Sequence, residues 1–209
     1  MDMKLRLLLA VAIIGPMQSV GGWLISGSMW PGYDPIKQTI SDLASPESPV
    51  RTIQTGFFLF AAVLELLVAW WATDIRMRAR IVIALGAIAT IGVALYPSPL
   101  IGSTPEHRFF AIASFVFFSA WPLFAIDSKS VNPALRPRPV IIATILLTAV
   151  SVWFLWIWAD KESPITGVAE RVLTTSQALY LSIVLLVGYA ARRKAVQARG
   201  KRRATQARG

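Results

Sequence analysis

The chain has 209 residues, of which 55% are hydrophobic and 15% charged, against roughly 45–50% and 25% in soluble globular domains. It has no cysteine and one histidine, which excludes disulfides, thiol nucleophiles, thiolate metal sites and any metal centre built on two imidazoles. The net charge is +10, but eight of those charges belong to residues 192–209, so the high isoelectric point describes the tail more than the body.

In chain order, six apolar runs are expected to be membrane spans: Leu7–Gly27, Gln54–Thr73, Ile81–Pro97, Phe109–Ile126, Val140–Trp158 and Val172–Ala191. About 20 helical residues cross a hydrocarbon core of about 30 Å. The runs are continuously apolar, whereas barrel strands alternate in pieces of about ten residues. The predicted fold is therefore all-α, a polytopic six-helix bundle over residues 1–191, followed by a basic, disordered tail over 192–209. Lys4 and Arg6 precede a run long enough to span, and no clean cleavage site follows, which favours a first span over a secretory signal. Pro16 and the glycines around it are expected to serve close helix packing rather than a hinge.

Six spans put both termini on one side. That side carries 16 Lys and Arg residues and the other carries 5; without the tail the ratio is 8 to 5. The positive-inside rule then predicts cytoplasmic termini. Trp23, Trp30, Trp70, Trp71, Trp153, Trp156 and Trp158 stand near span ends, as in an aromatic belt.

The polar residues gather in the connections opposite the termini. The first, Ser28–Ile53, is the longest and holds Tyr33, Asp34, Gln38, Thr39, Ser41 and Asp42. The second offers Ser103, Glu106, His107 and Arg108, and the third Asp160, Glu162, Glu170 and Arg171. A carboxylate, a hydroxyl and an imidazole are the parts of a general-base hydrolase, which makes His107, Asp34 and Asp42 the catalytic candidates. Tyr33, Ser41, Glu106, Glu65, Glu170 and Arg171 are the binding candidates. His107 is expected to bond one carboxylate of this group and Arg171 to pair with another.

Structural roles compete with these. Ser103-x-x-Glu106 fits a capping box for the fourth span, and Thr39-x-x-Asp42 a looser one. Glu170 and Arg171 also read as an interfacial pair opening the sixth span. No serine-elbow motif supports a nucleophile. Glu65 falls near mid-bilayer, where a carboxylate must be neutralised or paired. It is expected to face protein or a polar cavity, with Gln18, Ser114, Ser119 and Gln177 as candidate partners.

Several of these motifs carry a family resemblance. Pro31-Gly32-Tyr33-Asp34-Pro35 and Thr39-Ile40-Ser41-Asp42-Leu43 after the first of six spans resemble domain-of-unknown-function family 998. So do His107 opening the fourth span and Gly167-Val168-Ala169-Glu170-Arg171 before the sixth. The resemblance covers most of residues 5–190. It implies a six-span prokaryotic membrane protein and no particular activity. Ile40-Ser41-Asp42 followed by Pro46-Glu47 is also similar to the Frag1/DRAM/Sfk1 membrane proteins, a likeness that points towards lipid.

The leading expectation is an accessory protein of the cell membrane that binds lipid or a membrane-protein partner through its extracytoplasmic loops. One alternative is a membrane-embedded hydrolase or transferase acting on a lipid-like substrate. Another is a small proton-coupled transporter using Glu65. No cofactor and no metal are expected. The polybasic tail is expected to touch anionic lipid headgroups. No nucleic acid is expected, because no aromatic residue interleaves its arginines.

Overall fold

The computed structural model describes residues 3–160 and 162–206, with side chains as far as residue 198. Six helices in it are long and apolar enough to cross a membrane. They are α1 (Met3–Ser28), α3 (Arg51–Trp71), α4 (Met77–Leu95), α5 (Pro105–Ala125), α6 (Pro137–Ala159) and α7 (Thr166–Gln206). A seventh helix, α2 (Ile40–Leu43), lies in the first long connection, and a 3-10 turn (Pro133–Leu135) in the fourth inter-span connection. Among the described residues there is no strand. The fold is the expected all-α bundle.

Each span begins a few residues earlier than its apolar run. Hydropathy registers the first buried turn, whereas the helix starts at its cap, one turn out among polar residues. Pro105 and Pro137 occupy the first helical position of α5 and α6, where a missing N–H costs nothing. The expected Ser103–Glu106 box is displaced by one residue: the Thr104 side chain caps α5, accepting from His107 N at 3.1 Å. Ser103 Oγ instead turns to the Thr104 carbonyl.

The spans form a ring in chain order. α1 packs on α3, α3 on α4, α4 on α5, α5 on α6 and α6 on α7, and α7 returns to α1. Small residues set the closest approaches. A Cβ at Gly86 would lie 2.8 Å from the Phe118 ring, and one at Gly92 would lie 2.2 Å from Phe110. In α1, which runs unbroken through Pro16, Gly22 packs likewise against Phe57, while Gly21 meets nothing within 4 Å.

The main apolar core seals the end of the ring that carries the termini. There Val68, Ile75, Ile83, Trp121, Leu135 and Val184 are buried together. Arginines tie down helix ends at this face. Arg80 donates to the Ala69 and Trp70 carbonyls of α3 at 2.6 and 2.7 Å, and Arg78 to Phe124 O of α5 at 2.8 Å. Cations so placed satisfy orphan carbonyls and oppose the negative ends of the helix dipoles. Basic residues counted for topology thus also serve as caps.

Past Ala191, where disorder was expected, the backbone helix runs on to Gln206. Ala, Arg, Lys and Gln dominate this stretch and are strong helix formers, so it extends the preceding span without needing a core of its own. Arg192 pairs with Asp74 at the end of the bundle.

Candidate functional site

The first connection is folded down onto the start of α7. Gly32 takes a left-handed φ of +85°, the conformation glycine adopts without steric cost. Asp34 Oδ1 accepts from Ile36 N at 2.9 Å, and Asp34 N donates to Gln38 Oε1 at 2.7 Å, forming an Asx-type turn. Thr39 and Asp42 form a full capping box: Thr39 N donates to Asp42 Oδ2 at 2.7 Å and Asp42 N to Thr39 Oγ1 at 3.0 Å.

Six hydrogen bonds then cross to α7. Gly167 N and Val168 N, in its first turn, donate to the Lys37 and Ile36 carbonyls, both at 3.1 Å. These N–H groups have no partner within their own helix. Glu170 and Arg171 take hold of the same loop from adjacent positions. Glu170 Oε2 accepts from Ile40 N and Oε1 from Ser41 Oγ, so its carboxylate sits at the start of α2. The Arg171 guanidinium donates to Gln38 O at 2.9 Å, to Gly167 O at 2.8 Å and to the Tyr33 hydroxyl. It also lies over the rings of Trp23 and Tyr33, 5.0 and 5.6 Å from their centroids, at cation–π distance. The Tyr33 hydroxyl donates to Thr39 O at 2.7 Å.

Glu170 and Arg171 are 5% and 8% exposed. They are therefore a buried clasp rather than an interfacial pair. Burial pushes the Tyr33 hydroxyl well above its ordinary range, with Arg171 opposing the rise. Burial also raises the Asp42 carboxyl, against the pull of the Thr39 hydrogen bonds and Arg171. A raised carboxyl means that ionisation opposes folding. The Asp42 contribution is full below the unfolded aspartate value and declines as pH rises through its folded value. Asp42→Asn is expected to keep the cap and to flatten the pH dependence of unfolding above the unfolded aspartate value, about pH 4. Asp42→Ala is expected to cost about 1 kcal/mol, because Thr39 N loses its side-chain acceptor while the Thr39 Oγ1 cap on residue 42 remains. Denaturation curves at several pH values check both, and a steeper pH dependence in Asp42→Asn contradicts the assignment.

His107 is 4% exposed, but its partner is not the expected carboxylate. Nδ1 lies 2.9 Å from Tyr96 O. A carbonyl only accepts, so Nδ1 carries the proton, and Nε2 is an acceptor in the neutral ring. Tyr96 is the C-cap of α4, where carbonyls lack intrahelical partners; a nearer acceptor thus claims the imidazole. Arg171 likewise goes to carbonyls and a hydroxyl rather than to a carboxylate. The rigid fork of a guanidinium suits several converging acceptors.

Two cavities lie behind the clasp. The smaller, about 60 Å³, is lined by Thr39, Ser41, Asp42, Ser98, His107 and Glu170 against Phe115, Phe154 and Trp158. The larger, about 140 Å³, descends inside the ring between α1, α3, α4, α5 and α7. Its lining extends from Gln54 to Val68 on α3 and from Glu170 to Leu185 on α7, about 20 Å of helix rise. Ser41, Ala111, Phe115 and Glu170 line both, so the two cavities adjoin across these residues.

The larger cavity is amphipathic. Gln54, Thr174, Gln177, Ser114, Gln18 and Glu65 are its polar lining, set among Phe57, Phe58, Leu64, Val68, Phe118 and Leu181. Glu65 therefore lines the interior cavity, as do three of its four expected partners, although it bonds none of them. The fourth, Ser119, is committed elsewhere. Gln177 Nε2 donates to Ser119 Oγ and Phe115 O, both at 3.0 Å, and Ser119 meets Ser151 Oγ at 2.8 Å, bridging α5, α6 and α7. Three buried acceptors of this cavity have no hydrogen-bond partner: Gln18 Oε1, Gln54 Oε1 and Glu65 Oε2. Each such group costs about 1–3 kcal/mol if left unmet.

The sequence candidates thus divide. Ser41, Asp42, His107 and Glu170 converge on the smaller cavity, and Ser41, Glu65 and Glu170 on the larger. Tyr33 and Arg171 hold the loop. Asp34 serves its turn, and Glu106 is exposed in the first turn of α5; neither lines a cavity. Gln54 and Thr174, which sequence reading missed, line the larger one. A polar residue inside or at the edge of an apolar run was the available signal.

Fold and site together define a multi-pass helical membrane protein with an amphipathic cavity between its spans. The chain matches the family model described as Protein of unknown function (DUF998) over residues 13–187, and it belongs to that family. No curated protein and no solved structure matches it.

Proposed function

We propose that the protein binds a small amphiphilic, lipid-like molecule inside the bundle, with the clasped first connection as the roof of the site. The observation that carries this reading is the larger cavity, whose mainly apolar lining holds several polar side chains, three of them with buried acceptors lacking partners. Ligand sites combine apolar lining with a few converging polar groups in this way. This reading puts the site within the spans, where the sequence offers Glu65 alone among its candidates, rather than in the extracytoplasmic loops of the leading expectation. A hydrolase built on His107, Asp34 and Asp42 is less well supported, because Asp34 lies in its own turn and His107 Nδ1 is held by a backbone carbonyl.

Ala178 lines the cavity, and Ala178→Phe is expected to fill part of it without adding charge. Mass spectrometry of small amphiphiles extracted from the purified protein should show a species retained by the native chain and reduced at least about fivefold in the variant. Equal retention by a folded variant overturns the reading.

The same proposal places the protein in a prokaryotic cell membrane with both termini in the cytoplasm, on the strength of the basic residues at the terminal face. Reporter fusions after Ser45 and at Gly209 should then read outside and inside; the reverse pattern inverts the site. The basic residues 192–209 would lie against anionic headgroups.

A further inference from the structure

We propose that the molecule held in the larger cavity carries a protonated amine, received by the Glu65 carboxylate beneath a roof formed by Glu170. This rests on the reading of that cavity as a ligand site and adds the chemistry of the ligand's head.

Three observations point to a cation that donates hydrogen bonds. The cavity wall holds two carboxylates, Glu65 and Glu170, and among the described residues no Lys, Arg or His lines it. Glu170 is answered by Ile40 N, Ser41 and the neighbouring Arg171, but Glu65 has no such partner, and its Oε2 is buried and unbonded. An isolated carboxylate inside a span is too costly to leave uncompensated.

The cavity's unmet side chain on α1 is also an acceptor, Gln18 Oε1; Gln54 Oε1 likewise has no donor, but it lies about 16 Å of helix rise from Glu65, at the other end of the cavity. A primary ammonium brings three donors to such a set, whereas a carboxylate or phosphate ligand brings only further acceptors. The aromatic wall fits the same head. Phe57, Phe58, Phe115 and Phe118 face the cavity, and ring faces attract ammonium groups most strongly where water is excluded. The same rings, with Leu64, Val68 and Leu181, accommodate an apolar body attached to the amine.

The test is calorimetric titration of the full-length protein in phosphatidylcholine nanodiscs, against empty nanodiscs, with n-hexylammonium, n-hexanol and n-hexanoate. These share a body and differ in the head. Heat that disappears in Ala178→Phe is counted as cavity binding. The expected order is hexylammonium about tenfold tighter than hexanol, with hexanoate weakest. Glu65→Gln should bring hexylammonium to within about threefold of hexanol while leaving hexanol unchanged.

Hexanoate binding as tightly as hexylammonium, or a hexylammonium preference that survives Glu65→Gln, overturns the proposal. If all three bind alike and Ala178→Phe removes all three, the cavity reading stands and the amine falls. If none binds, both fall. The order in the native chain decides the sign of the charge by itself, so a misfolded Glu65→Gln leaves the test intact. Titration in nanodiscs containing phosphatidylethanolamine separates the sources of the amine. Weakened hexylammonium binding there identifies a lipid headgroup as occupant, and unchanged binding identifies a free amphiphilic amine.

Discussion

Arg171→Ala is expected to lower the stability of the bundle by about 3–5 kcal/mol, in the range found when one partner of a buried charged network is removed. The guanidinium is 8% exposed and satisfies two carbonyls and the Tyr33 hydroxyl at once. Alanine leaves Gln38 O and Tyr33 without that donor and removes the cation adjoining the buried Glu170. It also empties the space over Trp23. Arg171→Lys is expected to recover less than half of the loss, because a single ammonium cannot span acceptors on both sides of the fork. Thermal unfolding in detergent, read alongside proteolysis of residues 29–50, checks this. A folded Arg171→Ala that melts with the native chain and resists protease would show that the clasp contributes little.

Gly167→Ala is expected to cost about 3 kcal/mol, from overpacking together with two weakened hydrogen bonds. A Cβ there would lie 2.2 Å from Gln38 O and 2.6 Å from Pro35 O. Both are backbone atoms, so no side-chain rotation relieves the contact and the loop must lift. Lifting breaks the Gly167–Lys37 and Val168–Ile36 hydrogen bonds and draws Ile40 and Ser41 away from Glu170. Gly21→Ala, whose Cβ would meet nothing within 4 Å, serves as the control and should leave unfolding unchanged within about 0.5 kcal/mol. Equal melting of the two variants would mean that the loop does not depend on close docking to α7.

Since Ile40, Ser41 and Glu170 line the larger cavity and the clasp holds them in place, both variants should also loosen whatever the cavity holds. That links the clasp to the proposed function through Glu170, which lines the cavity, whereas Arg171 does not. Loss of stability with full ligand retention would place the roof elsewhere.

The sequence by itself determined the six spans and their helical character. A membrane core accepts only backbone that bonds within itself, so about 20 continuously apolar residues leave little choice but a helix. It also determined the turn at Gly32–Asp34 and the cap at Thr39–Asp42, because such motifs are local and use residues within a few positions of one another. Glu65 was conspicuous for the same reason: a carboxylate in an apolar run needs an explanation wherever the helix turns.

The tertiary structure alone decided the rest. The spans are apolar nearly all round, so periodicity does not say which face of each helix turns inward. Gln54 and Thr174 became cavity residues, and Asp34 and Glu106 did not, only once the ring was closed. His107 was separated from the carboxylates by a carbonyl at the end of α4, a group every residue carries and no sequence displays. Glu170 and Arg171 grip a loop some 130 residues away, and only the return of α7 to α1 brings the two together. Short-range hydrogen bonding is written in neighbouring residues, whereas a cavity is the space left by five helices whose mutual rotation is set by packing.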